Sequence, residues 1–134
     1  MNKLTIIVEQ NKDGFWGQIK EYPNVFTGGA TLTELMSNAN EAMELYFEGS
    51  EEPPIRNPKF EIVVDLQEFF SINDFINITK LAQRTGMNTS LLRQYAKGIK
   101  FPSLEQVARI EKTLKEIGAE LLNTRVINKP PEMD

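Results

Sequence analysis

Thr89, Ser90, Arg93, Gln94, Lys97 and Lys100 carry hydrogen-bonding or charged heads at intervals of one, three and four residues. Positions three and four apart are neighbours on a helix surface, so such a run lines one helical face. In a DNA major groove each of these side chains has a partner. Arginine can bond a guanine edge bidentately and glutamine an adenine edge. The hydroxyls of Thr89 and Ser90 suit a base or a phosphate, and Lys97 and Lys100 would neutralise phosphates where the chain leaves the groove. Between residues 75 and 104 the chain holds Lys80, Arg84, Arg93, Lys97 and Lys100 and no acidic residue. A basic stretch inside a chain of net charge −4 marks a surface that faces a polyanion.

A second set of groups could do different chemistry. Glu9, Asp13, Glu61 and Asp65 fall on or near β-type segments. Nucleases gather carboxylates of this kind around two Mg²⁺ ions. Here the four show no convergent spacing, and solvation explains acids at strand ends. The chain has no histidine and no cysteine. That excludes Ser-His-Asp triads, Cys-His pairs, disulfides and the usual zinc sites. No catalytic residue, metal site or cofactor is therefore expected, and the protein does not read as an enzyme.

The elements that must hold the polar face are legible around it. In Ile78 to Gly98, two short helices that cross steeply need a small residue at their contact, and Ala82 supplies it. Gly86, four positions later, suits the left-handed residue that ends the first helix. Met87 turns inward, and Asn88 caps the second helix. Leu92, Tyr95 and Ala96 form the inner side of the second helix, met by Ile78, Leu81 and Ala82. Ser103-Leu104-Glu105-Gln106 is a box-like cap opening a third helix. Its Leu104, Val107, Ile110, Leu114 and Ile117 are expected to cover the pair, with Gly118 as its end. The segment resembles the phage-repressor class of helix-turn-helix domains, whose second helix reads operator DNA.

The first half has another character. Leu4, Ile6 and Val8 alternate with polar neighbours except at Ile7, which reads as a largely buried strand. Asn11-Lys12-Asp13-Gly14 is a turn, Phe15 to Lys20 a second strand and Val25 to Ala30 a third, with Gly28-Gly29 as a bulge or strand end. Thr31-Leu32-Thr33-Glu34 is a capping box. The helix it opens has Leu35, Met36, Ala39, Ala42, Met43, Tyr46 and Phe47 on one face and stops at Gly49. Ser50 to Pro58 is a loop with three prolines, and Phe60 to Leu66 a returning strand.

The expected fold is thus α+β, a β-β-β-α-β unit over 1–69 followed by an all-α helix-turn-helix domain over 70–127. Asn128 to Asp134 is expected to be a disordered tail. Residues 1–70 hold five Lys/Arg against twelve Asp/Glu, and residues 71–134 ten against seven. No apolar run approaches the ~20 residues of a membrane span. Met1-Asn2-Lys3-Leu4 leads directly into the alternating pattern without the apolar stretch of a signal peptide, so a cytoplasmic protein with no membrane partner is expected.

The first half also carries a family likeness. Ile6-Ile7-Val8-Glu9, Asp13-Gly14-Phe15-Trp16-Gly17-Gln18-Ile19, Tyr22-Pro23-Asn24-Val25-Phe26-Thr27 and the Gly29-Ala30-Thr31 entry to the helix resemble the HicB family of antitoxins. The likeness spans about residues 4–66, and Leu91 to Gly98 resembles the helix-turn-helix version of the same family. The resemblance implies a truncated ribonuclease-H-like unit that masks a small basic HicA-like ribonuclease toxin. It also implies a C-terminal unit that represses the shared operon at operator DNA, and assembly as a homodimer or higher oligomer. The bend reads Glu21-Tyr22-Pro23-Asn24-Val25, where many relatives read closer to Pro-x-Leu-Pro-Gly. Phe15, Trp16 and Tyr22, aromatic residues near the hairpin, are candidate toxin contacts. The rival reading is a stand-alone transcriptional regulator whose first unit dimerises or senses a ligand.

Overall fold

The computed structural model describes residues 2–132. The fold is α+β, and the chain divides into two compact units, Met1–Asp74 and Phe75–Asp134. In the first, β1 (Lys3–Asn11), β2 (Gly14–Ile19) and β3 (Phe26–Gly29) precede α1 (Leu32–Glu48), then β4 (Lys59–Val63) and α2 (Leu66–Ile72). The strands form one mixed sheet in the order β3-β2-β1-β4. Neighbours β1–β2 and β2–β3 are antiparallel, whereas β1–β4 is parallel. A parallel neighbour requires a crossover, and α1 with the proline loop supplies it.

One face of the sheet is packed and the other is not. Leu4, Ile6 and Val8 of β1 and Ile19 of β2 bury against Leu35, Ala39, Met43 and Phe47 of α1. Thr31 accepts the Glu34 N–H at 3.1 Å, so α1 starts where its capping box lies. Its first turn comes very close to β3: a Cβ on Gly29 would sit 2.7 Å from the Leu35 nitrogen. That approach explains a glycine at the end of this strand. Ile7 is exposed, contrary to the buried-strand reading, because the sheet is covered on one side only.

The fourth strand is shorter than its β-rich sequence suggests, ending at Val63. Asp65 accepts the Glu68 N–H at 2.8 Å and caps α2, a helix that the sequence pattern had not separated from the strand. This helix returns to β1: the Gln10 N–H donates to Glu68 Oε1, and the Ser71 hydroxyl donates to Gln10 Oε1. With Phe70 buried as well, α2 belongs to the first unit. The first compact unit thus runs on to Asp74.

The second unit consists of α3 (Ile78–Thr85), α4 (Thr89–Ala96) and α5 (Leu104–Leu122). Helix α3 contacts both of the others. The buried residues are Leu81, Ala82, Thr85, Met87, Leu92, Tyr95, Ile110 and Thr113. Gly118 does not end α5, which runs on to Leu122. Leu104 is 89% exposed and Val107 also faces solvent, so neither covers the helix pair. Leu114 and Ile117 are half-buried beside the fully buried Ile110. From Asn123 to Glu132 the chain is irregular and exposed, and the last two residues of the expected tail lie outside the described residues.

Candidate nucleic-acid interface

The polar face is held by helix ends of unusual regularity. Asn77, Asn88 and Ser103 each accept a backbone N–H through the side chain, from Lys80, Leu91 and Gln106 at 2.9, 3.1 and 3.2 Å. Such caps satisfy donors that a helix N-terminus leaves open, each worth ~1 kcal/mol. At the other ends, α3 and α4 close in the same way. The Gly86 and Met87 N–H groups donate to Gln83 and Ala82, while Gly98 and Ile99 donate to Tyr95 and Gln94. Gly86 and Gly98 have φ of 73° and 74°, the left-handed conformation this closure requires. With both ends fixed, Leu92 and Tyr95 point inward and settle which side of α4 faces out.

On that outer side Ser90, Arg93, Lys97 and Lys100 are exposed, while Thr89 and Gln94 are half-buried. All six candidates thus lie on α4 or within four residues of its end. Arg93 is not loose: its Nη2 donates to Thr79 Oγ1 on α3 at 2.9 Å. A guanidinium has five N–H donors, so this bond aims the group and leaves donors for another acceptor. Thr79 was not among the sequence candidates. Its only signal was being polar in the first turn after the cap, and its pairing spans fourteen positions.

Arg84 is taken up within the second unit. Arg84 makes a bidentate pair with Glu120 of α5, Nη1–Oε1 at 3.0 Å and Nη2–Oε2 at 2.8 Å. Hydrogen bonding and charge from Arg84 hold the Glu120 carboxyl below the usual carboxylate range, and the same bond raises the guanidinium. Arg84 therefore serves α3–α5 packing, not the polar face. Helices α3 and α4 contain no carboxylate and carry Lys80 and Arg93, with Lys97 and Lys100 just beyond α4.

The first unit places its candidates differently. Phe15 is half-buried against the core under α1. Tyr22 packs edge-on against Tyr46 and Phe47 at 5.1 and 5.6 Å between ring centroids. Trp16 alone of the three lies on the uncovered sheet face, 42% exposed and stacked on Phe26 at 5.5 Å. Register sets Val63, Ile7, Gln18 and Phe26 in one row across all four strands. Trp16 stands in the next row, so Val63, Ile7, Trp16 and Phe26 form an exposed apolar band that periodicity alone did not reveal.

The acids are spread apart. Glu61 pairs with Lys3, Asp65 caps α2, and Asp13 sits in the hairpin turn. Among the described residues no group of three or more acids is placed to hold a metal ion. No helix there is long and apolar enough to cross a membrane.

No protein-family model matches the chain. Part of it is similar to a phage protein. Over 57 residues it is 39% identical to an uncharacterized 14.9 kDa protein of the rep-hol intergenic region of Haemophilus phage HP1 (strain HP1c1). The similar stretch covers 40% of this chain and 43% of that protein, so the chain spans less than half the length of this relative.

Proposed function

We propose that the protein is a non-catalytic, DNA-binding antitoxin of the HicB kind, which represses its own operon through α4 and masks a small basic ribonuclease with its first unit. The observation that carries the DNA-binding part is the outward, acid-free face of α4, with Arg93 braced by Thr79. In this reading Arg93 and Gln94 read base edges, Thr89 and Ser90 take a base or a phosphate, and Lys97 and Lys100 contact the backbone. Two copies bind a two-fold operator, with half-sites about one helical turn apart.

The antitoxin part is supported by the HicB-like stretch of the first unit and by its charge. Met1–Asp74 holds five Lys/Arg against thirteen Asp/Glu, a net −8, while Phe75–Asp134 carries +4. A basic partner suits such a unit. The apolar band that includes Trp16 is the surface on which the toxin would anchor, aromatic residues being frequent hot spots. In this reading the first unit is a truncated ribonuclease-H-like fold used for binding, not for catalysis.

Two assays test the reading. Arg93→Ala is expected to weaken specific binding to the upstream promoter by ~1–3 kcal/mol, the loss of one bidentate base contact. The product of the adjacent reading frame should co-purify with the wild-type chain but not with Trp16→Asp, which should still bind DNA. If the wild-type pair does not co-elute, the stand-alone regulator takes the antitoxin's place.

A further inference from the structure

Helix α5 is bare along one side. Its inner side buries Ile110 and Thr113, and its flank holds Arg84 through Glu120. At about 100° per residue, Leu104, Val107, Glu111, Lys115, Gly118 and Leu122 share another strip of the same helix. Leu104 and Leu122, at its two ends, are 89% and 86% exposed. Glu111 and Lys115, at its middle, have no ion-pair or side-chain hydrogen-bond partner among the described residues. Gly118 interrupts a helix interior, yet a Cβ there would meet nothing within 4 Å. Alanine would be the better helix former, so nothing within this chain asks for the glycine.

We infer that this strip is the seam of a homodimer in which two α5 helices pack antiparallel about a two-fold axis level with Thr113. The pattern is self-complementary in that arrangement, as a two-fold interface must be. Leu104 meets the partner's Leu122, and Glu111 meets the partner's Lys115. Val107 faces the partner's Gly118, whose missing side chain lets the helices approach. Parallel helices would instead set Glu111 against Glu111 and Lys115 against Lys115, a repulsive pairing. The antiparallel order also brings exposed Ile99 and Phe101, which precede one helix, beside Val126 and Ile127, which follow the other. No residue of the strip belongs to the α4 face, so both copies keep their polar faces for other use.

The inference deepens the two-fold part of the repressor reading, but its test needs no DNA, so either can fail without the other. Light scattering on the full chain at micromolar concentration gives the mass of the wild type, of Glu111→Lys and of Lys115→Glu. The first variant makes the centre of the strip wholly basic and the second wholly acidic. Each alone is expected to fall to half the wild-type mass with unchanged circular dichroism. An equimolar mixture should return to the wild-type mass, because each basic strip then faces an acidic one. Restored attraction within a single helix cannot produce that rescue, since neither variant regains its own Glu–Lys neighbour. Leu104→Ser leaves the charges alone and should raise the dimer dissociation constant about tenfold or more. A monomeric wild type, single variants that keep the wild-type mass, or a mixture that stays at half mass would overturn the inference.

Discussion

The acidic unit and the basic unit cover their apolar residues to different degrees. In Met1–Asp74 ten hydrophobics are buried, nine of them in one cluster between the sheet and α1, and five large apolar residues are exposed among the described ones. Phe75–Asp134 reverses the balance, with six buried hydrophobics and nine large apolar residues exposed among the described ones. A small unit with a thin core is marginal on its own and commonly relies on association for stability. The contrast suggests a division of labour. The first unit closes a core between sheet and α1 and leaves the band around Trp16 exposed. The second leaves much of α5 bare, and it concentrates positive charge where the first is acidic.

Core truncations should break the comparison most visibly. Leu35 and Leu92 are both fully buried, one in each unit. Replacing either by alanine is expected to cost ~2–5 kcal/mol in its own unit. Leu35→Ala should lower the melting of the acidic unit and leave DNA affinity intact, whereas Leu92→Ala should abolish DNA binding at a temperature where the acidic unit still melts normally. Calorimetry paired with a mobility-shift assay reads both.

Two glycines sharpen it at smaller magnitude. Gly29→Ala drives a methyl into backbone at the start of α1 and should cost ~1–3 kcal/mol, since rigid neighbours cannot give way. At Gly86 the nearest obstacle is the flexible end of Arg109, so the cost of alanine is mainly that of the left-handed backbone, ~1–2 kcal/mol. Chemical denaturation of the two variants should keep that order.

Surface charges come next. Lys100→Ala should weaken binding to all DNA sequences alike and lower the slope of log affinity against log salt by about 1. The smallest effect belongs to Glu120, whose carboxyl Arg84 holds below its ordinary range. A group lowered in the folded state contributes stability above its unfolded pKa and loses it as pH falls through the folded value. Glu120→Gln should therefore flatten slightly the acid side of a melting-temperature profile. The difference should shrink with added salt, because the pair is exposed.

Much of this is legible in the sequence. Caps at Thr31, Asn88 and Ser103 and the stop at Gly86 depend on side chains one turn away, so local sequence specifies them. The same locality makes the outward side of α4 readable. What sequence hid was everything decided at a distance. Ile7 resembles a core residue until the sheet proves to be covered on one face only. Phe15 and Tyr22 look like their neighbour Trp16, yet the pleat and the bend turn them into packing around α1. Arg84 reads as one more cation until Glu120, thirty-six positions on, takes it up. Gly118 reads as a stop, but a lone glycine with no left-handed turn after it merely weakens a helix.

The central claim is that α4 presents a sequence-reading face to DNA. Fluorescence anisotropy with the chain's own upstream promoter and a scrambled duplex of equal length, for wild type and Arg93→Ala at one fixed salt concentration, tests it most directly. The account predicts that the wild type prefers the promoter and that Arg93→Ala loses most of this preference while scrambled-duplex binding changes little. Equal affinity of the wild type for both duplexes, or a preference untouched by Arg93→Ala, would contradict it.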